Sequence, residues 1–483
     1  MLKLSTVIKR FCAIIIATHV FALMPTALAS SELFSFVEAT GFVSMVIKAD
    51  KSLWGWGDND IGQLTDGARI LEWPHKIMDG VTSVSTSGGH SLAIKTDGSL
   101  WVWGSNAEGQ LGDGTTNNHT VPIKIMDNVV SVSAGSGYSM VIKKDGSLWA
   151  WGFNDVGQLG DGTMINRSVP TKIMDNVLSV STGAVGHTMA VKTDGSLWAW
   201  GSNTCGELGD GTTTNRSVPI KIMDDVKSVS CDDSFTMVVK TDATLWAFGY
   251  NYDGRLGDGT RIERHSPVKI LDDVLAVSGS RAIRTDGSLW AWGNYGIGDL
   301  DDGTKIDLYY APTKFLDNVS SVSSGTEHTM VLKTDGTLWV WGNNTFMQLG
   351  TRAPANSVSP VPVEITLNEV VVILDGWEHI DFDIPPRIVN NRTYIPIRGV
   401  AESLGAEVDW NQTDKTVTIT KDNDVIVLTL GNTLNTGTDS EAYIDQPMFS
   451  HNGRIFVSLR LVSETLGVNI EWDSGTKTVF LYS

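Results

Sequence analysis

The sequence predicts a mainly β protein: a seven-bladed β-propeller followed by a small α+β domain made of two similar halves. Three observations carry this. First, Leu-Trp-x-Trp-Gly, or a close variant of it, occurs seven times, starting at Leu53, Leu100, Leu148, Leu197, Leu245, Leu289 and Leu338. Spacings of 44 to 49 residues mean a solenoid, a propeller or an array. Second, Asp-Gly precedes most copies, between alternating apolar runs. It is the strongest short-range hairpin signal, and both central turn residues should need positive φ. Third, the pattern stops near Leu367 and a different internal repeat begins, offset by 62 residues.

The chain begins with Lys3, Lys9 and Arg10, an apolar run from Phe11 to Leu23, and Ala27-Leu28-Ala29. This is the layout of a secretory signal, too short for a comfortable membrane span. Residues 1–29 are therefore expected to be a cleaved signal peptide. The mature protein is expected at the cell surface, in the wall or outside the cell, without a membrane span. The formal net charge is -19, and removing those three positive charges leaves -22. So acidic a chain is not expected to bind nucleic acid or anionic lipid. Cys205 and Cys231 remain after cleavage and could pair or stay free.

Residues 30–366 form the expected propeller. In the unit Val129 to Met174, Val129–Gly135 reads as a first strand, A, with small residues that suit a crowded inner position. Ser139–Lys143 reads as strand B, Leu148–Gly152 as C and Pro170–Met174 as D. The two tryptophans of strand C lie two apart, so they leave one face. One blade cannot bury them, so the neighbouring blade must, and the seventh must cover the first. Closure leaves only short edges.

Gly-Gln-Leu-Gly (Gly109 to Gly112, Gly157 to Gly160), the His-Ser/Thr pairs at His90, His187 and His328, and Asp-Gly-Ser-Leu-Trp-x-Trp-Gly together resemble repeats of the regulator of chromosome condensation family. The resemblance covers about residues 34 to 365 and implies a seven-bladed propeller. The family's founder is a nucleotide exchange factor that binds chromatin. An export signal and an acidic chain oppose both roles. Secreted bacterial members that grip a protein with one face are closer in setting.

Residues 367–483 form the second expected domain. Pro385 matches Pro447, Arg398 matches Arg460, Gly405 matches Gly467 and Trp410 matches Trp472 across the 62-residue offset. Each half reads as a strand, an amphipathic helix ending at glycine, and a hairpin. Pro385 to Arg398 and Leu404 to Trp410 resemble the copper amine oxidase N-terminal, or stalk, domain, which in that family holds neither copper nor the quinone. Asn251-Tyr252-Asp253 looks like part of the oxidase quinone motif. However, Phe248 stands where that motif has threonine, and the chain has no His-x-His pair, so oxidase chemistry is not expected.

No catalytic fingerprint is present, and no cofactor or metal is expected. The Asp-Gly-Thr copies at Asp113, Asp161, Asp210, Asp258 and Asp302 read as turns rather than calcium loops. Asp232-Asp233 and Asp301-Asp302 read as solvated turns. The expectation is a non-catalytic binding protein whose propeller presents one loop face to a protein or cell-wall glycan. The C-terminal domain would then act as spacer or docking unit. The alternative is an extracellular propeller hydrolase or lyase acting on a polysaccharide.

The B–C and D–A turns barely vary and carry repeated aspartates (Asp97, Asp127, Asp145, Asp175, Asp194), so they read as scaffold. The A–B and C–D loops vary. They carry Phe42, Tyr138, Phe153, Phe235, Tyr250, Tyr252, Tyr295 and Phe346 as expected ligand-face residues, because aromatics on a rigid rim are typical anchors.

Overall fold

A computed structural model of the chain describes residues 34–64, 69–87, 89–293, 309–325, 328–350, 356–362, 371–374, 378–380, 386–389, 392–421, 424–429, 449–451, 454–473 and 478–482. The chain divides into two compact units, up to Ile365 and from Thr366.

The first unit holds seven four-stranded antiparallel sheets, each built from one continuous stretch. The blades span Phe34–Met78, Val81–Met126, Val129–Met174, Val177–Met223, Val226–Leu271, Val274–Leu316 and Val319–Pro362. Each sheet keeps sequence order, A-B-C-D. Among the described residues no blade borrows a strand.

The repeated Asp-Gly-Ser-Leu-Trp serves one local purpose. In blade four, Asp194 Oδ1 accepts from the Ser196 amide at 2.9 Å and its hydroxyl at 2.6 Å. The Ser196 oxygen then accepts from Trp198 Nε1 at 2.9 Å. The turn differs from the expected one. Gly195 N donates to Lys192 O, Lys192 N donates to Ser196 O, and of Asp194 and Gly195 only the glycine has positive φ. This is a three-residue loop with a glycine bulge, so only one residue needs left-handed geometry. Lys51 and Ala243 adopt that geometry without being glycine, at φ 71° and 64°.

The second tryptophan of the C strand joins neighbouring blades in every blade but the fifth. Trp151, Trp200 and Trp292 are fully buried. Their indole N–H groups donate to backbone carbonyls in the preceding blade: Gln110 at 2.8 Å, Gln158 at 2.9 Å and Arg255 at 2.8 Å. Around each indole lie apolar residues of both blades, as with Leu100, Val102, Leu111 and Val141 near Trp151. Burying one indole removes roughly 200 Å² from water, worth on the order of 5 kcal/mol before entropy. The glycine ending each Gly-Gln-Leu-Gly lies beneath the ring. A Cβ on Gly160 would sit 2.7 Å from Trp200 Nε1.

The ring closes with the same bonds. Trp56 Nε1 donates to Gln348 O at 2.9 Å, and Ser44 Oγ to the same carbonyl at 2.6 Å. His328 Nε2 lies 2.7 Å from Ser44 Oγ, as His90 Nε2 lies 2.9 Å from Ser139 Oγ between blades two and three. These histidines are buried structural bridges.

In the second unit, Arg392–Pro396, a helix over Ile397–Ser403 and Glu407–Asn411 recur 62 residues later as Arg454–Ser458, a helix over Leu459–Leu466 and Asn469–Asp473. The strands before the helices pair antiparallel, with Ile395 opposite Val457. The halves share one core of Ile395, Val400, Val408, Val457, Val462 and Leu481, among others. Gly405 ends the first helix at φ 80°, with Ala406 N bonded to Ala401 O, a Schellman motif.

Blade five replaces the bridging tryptophan with Phe248, equally buried over Gly209. Trp200→Phe is expected to lose about 1–2 kcal/mol, the value of a buried hydrogen bond. Phe248→Trp is expected to gain about 1 kcal/mol by donating to Glu207 O. Thermal melts check both, and unchanged melting temperatures would show that the indole bond contributes nothing beyond packing.

Candidate functional site

The A–B and C–D loops meet at one end of the propeller. Phe153 N donates to Gly137 O and Tyr250 N to Ser234 O, each C–D loop resting on its own blade's A–B loop. The C–D loops of blades two to five are cross-braced by side-chain hydrogen bonds. In blade three, Asn154 Oδ1 accepts from Leu159 N at 3.0 Å, while its Nδ2 donates to Asp161 at 3.2 Å. Asp161 also accepts from the Thr163 amide and hydroxyl and pairs with Arg167 at 2.7 Å. Asp210 and Asp258 pair with Arg216 and Arg264 in the same way. These carboxylates are occupied in holding their loops.

Two expected ligand-face residues belong to the core instead. Tyr138 and Phe235 are the first residues of their B strands and are 0% and 2% exposed. Tyr138 OH donates to His187 O at 2.9 Å, and its ring covers Gly135, where a Cβ would meet it at 2.1 Å. Both fill the interior position that His90, His187 and His328 hold in other blades. Phe42 and Phe346 are half-buried, and their rings pack 4.6 Å apart across the blade-one/blade-seven boundary. Phe153 is half-buried. Tyr250 is half-buried and meets Tyr252 edge-on at 5.2 Å. Tyr252 is 57% exposed. Tyr295 lies outside the described residues, as do Asp301 and Asp302.

Beneath the two tyrosines lies a charged cluster that the sequence reading missed. Arg255 takes the place of Gln110 and Gln158. Each glutamine folds its side chain back as an acceptor: Gln158 Oε1 takes the Val156 amide at 3.0 Å. An arginine cannot accept. Instead Arg255, 5% exposed, forks onto Asp253 at 2.9 and 2.7 Å and lies 3.6 Å from Asp233. Its guanidinium sits between the Phe235 and Tyr250 rings, at 5.5 and 4.9 Å.

The neighbouring blade carries the matching change. Arg281, 3% exposed, occupies the buried position of Met140, Met189, Met237 and Met330. Gly279 stands where five of the other blades have a ring and blade one has Val43. A Cβ there would meet Asp232 Oδ2 at 2.6 Å, so the Asp232 carboxyl fills part of the vacated space. Burial, with Asp233 beside it, pushes Asp232 up to about 6. Burial lowers Arg281 to about 10, against the pull of Asp232. Asp232 and Asp233 are therefore not the solvated turn expected. Aligning the blades shows the signal: two arginines at a glutamine and a methionine position, one boundary apart.

The mouth opens into a channel of about 850 Å³ along the propeller axis, lined by the A strands. Serines link successive blades there. Ser85 Oγ accepts from Ala134 N at 3.1 Å, Ser181 from Cys231 N at 2.9 Å, Ser278 from Ser324 N at 3.0 Å and Ser323 from Ala39 N at 2.9 Å. Blade one has Glu38 at this position, accepting from the Thr86 amide. Burial pushes the Glu38 carboxyl up to about 8, and the Thr86 bond offsets only part of this. Cys205 and Cys231 are unpaired, and burial raises the Cys231 thiol to about 12. No group of three or more His, Cys, Asp or Glu suited to a metal ion occurs among the described residues.

The fold is a β-propeller, and its blades match the regulator of chromosome condensation (RCC1) repeat. The repeat profile matches residues 97–142, 145–191, 194–239 and 335–380, and a second profile of the repeat matches 81–110, 129–158, 177–207 and 319–348. The C-terminal unit carries the copper amine oxidase N-terminal domain, matched over residues 374–481. Similar solved structures are human WBSCR16 and the yeast RCC1 protein Prp20, the latter solved bound to Kap60. WBSCR16 is 20% identical, with 65% of this chain and 93% of that chain covered and a TM-score of 0.58. The Kap60-bound Prp20 is 18% identical, with coverage of 73% and 91% and a TM-score of 0.59. Prp20p from Saccharomyces cerevisiae, described with its binding to Gsp1p and histones, is 20% identical, with coverage of 68% and 89% and a TM-score of 0.58. At these identities the likeness is one of fold. No protein of curated function matches the sequence.

Glu38 gives the channel a titratable group of known sign. A carboxyl held at about 8 binds its proton more tightly in the folded chain than in the unfolded one. Its contribution to stability is thus full below the unfolded value, near 4.5, and is lost as pH rises through about 8. Glu38→Gln keeps an acceptor for Thr86. It is expected to melt with the parent near pH 5 and several degrees above it at pH 9. A difference independent of pH would show that Glu38 is ordinary.

Proposed function

We propose that the protein is an exported, surface-associated, non-catalytic binding protein that grips a protein or cell-wall glycan with the A–B/C–D mouth of its propeller. The observation that carries this reading is the pair Tyr250 and Tyr252 above the buried Arg255–Asp253–Asp233 cluster. A half-open aromatic pair on a rigid, charged base has the makings of a binding anchor. It occurs at a blade boundary where the repeat loses its regularity. The opposite turns are repeated from blade to blade, with pairs such as Lys172–Asp175 and Lys221–Asp224. Protein binding by the structurally similar Prp20 supports the use of the fold as a grip. The C-terminal unit serves as spacer or docking module, a separately folding domain from residue 367.

Export is supported by the basic-apolar-small pattern of residues 1–29. No helix among the described residues is long and apolar enough to cross a membrane. N-terminal sequencing of protein from the wall or culture fraction is expected to start near Ser30. An intact Met1 on protein confined to the cytoplasm would overturn export.

The mature chain, used as bait on surface extracts, is expected to retain a partner that Tyr250→Ala with Tyr252→Ala releases. The loss should be at least about tenfold in affinity, with little change in melting temperature. Equal retention by the double variant, or loss matched by unfolding, would mean that the pair is packing and the other face binds.

A further inference from the structure

The C-terminal unit has an open groove of about 460 Å³. The start of the first helix supplies Arg398, the following strand supplies Val408 and Trp410, and the Phe449–His451/Arg454–Ser458 hairpin supplies Ser450 and Arg454. Val408 and Trp410 lie two apart on one strand and share its groove side. Val408 is buried, while Trp410 is 36% exposed. The strand therefore anchors itself with one residue and leaves an indole at the wall. Trp410 Nε1 donates to Gln412 Oε1 at 2.8 Å, so the ring's polar edge is held by a neighbour.

The lining is also unusual in charge. Among the described residues it holds Arg398 and Arg454, in a chain of net charge -19. Arg398 is exposed and meets Glu402 at 3.3 Å, one helical turn on. An exposed pair of this kind contributes little, so Arg398 can exchange Glu402 for a ligand anion at small cost.

We propose that this groove binds an acidic polysaccharide, with Trp410 stacking on a sugar ring and Arg398 holding its carboxylates. An indole offers a flat apolar face for the C–H side of a pyranose, and its N–H needs no ligand partner here. Guanidinium forks match carboxylates in plane and are weakly hydrated, so they exchange partners readily. Hydroxyl and amide groups at Ser450 and Gln412 suit a ligand rich in hydroxyls. Apolar side chains such as Ile397, Val417 and Ile455 share the walls with these polar groups, which suits the mixed faces of a sugar ring. This rests on reading the C-terminal unit as a docking module and makes no use of the propeller mouth.

The test is affinity electrophoresis of the full mature chain in native gels containing polygalacturonate, with neutral dextran as control. The chain is expected to be retarded by polygalacturonate, against the repulsion of its own net charge, and not by dextran. Raising the salt should weaken the retardation. Arg398→Glu and Trp410→Ala should each lower the affinity at least about tenfold. Arg398→Glu changes an exposed helix residue, so it keeps the test valid should Trp410→Ala fail to fold. Tyr250→Ala with Tyr252→Ala should leave the retardation intact. No retardation of the parent chain overturns the acidic-glycan assignment. Retardation unaffected by either groove variant overturns the groove while leaving a docking role elsewhere on the unit. Equal retardation by dextran removes Arg398 from the mechanism.

Discussion

A fully buried indole N–H calls for an acceptor, and in this propeller Trp56, Trp103, Trp151, Trp200 and Trp292 find one in the neighbouring blade, while Trp341 Nε1 finds none among the described residues. The Gln158 carbonyl accepts from Trp200 at 2.9 Å and from Thr188 at 3.0 Å. Much of the repeat follows from placing that carbonyl. The glutamine side chain folds back on its own loop, and the glycine two residues on leaves room for the ring. Asn154 ties the loop to its base. The loop ends then reach the outer strand of the next blade, as Gly162 N does at Ser217 O. The braced loops at this end are thus a by-product of satisfying a buried donor at most of the boundaries.

The A strands solve the same problem nearer the axis with smaller parts. Where blades converge there is no room for indoles, and serine hydroxyls accept the neighbouring amides. Glu38 makes the same connection with a longer, ionisable side chain. The channel is therefore polar and crowded with hydroxyls, which distinguishes it from the apolar cavities that hold hydrophobic ligands.

Much of the architecture was legible because the period is strong. Seven copies of Leu-Trp-x-Trp-Gly and the 62-residue offset marked both units and the four strands of each blade. The failures were local. Strand B begins at Tyr138, one residue before the reading placed it, and that single step moves Tyr138 and Phe235 from the rim to the core. Position in a repeat does not separate a residue that ends a loop from one that begins a strand. The deciding fact is the bare surface of Gly135 beneath the ring, a contact with the strand before it. Asp232 and Asp233 were misread for a related reason. Adjacent carboxylates in a loop are normally solvated, and only the arginines at positions 255 and 281 alter that.

Those substitutions also show how a closed ring can diverge. Every blade faces two neighbours, so a change at a boundary needs a matching change across it. Gly279 removes a ring from blade six, and Asp232 of blade five moves into the space. Arg281 supplies the charge that makes that carboxylate tolerable. Arg255 gives up the glutamine's acceptor role and turns to Asp253 and Asp233. A lone buried charge would cost several kcal/mol, whereas a paired and bonded set can be neutral. Drift of single residues would leave unpaired groups behind. Here the departures compensate one another within two adjacent blades, directly beneath the exposed Tyr252. That coincidence of compensated charge and open aromatic surface sets this mouth apart from the regular boundaries around the rest of the ring.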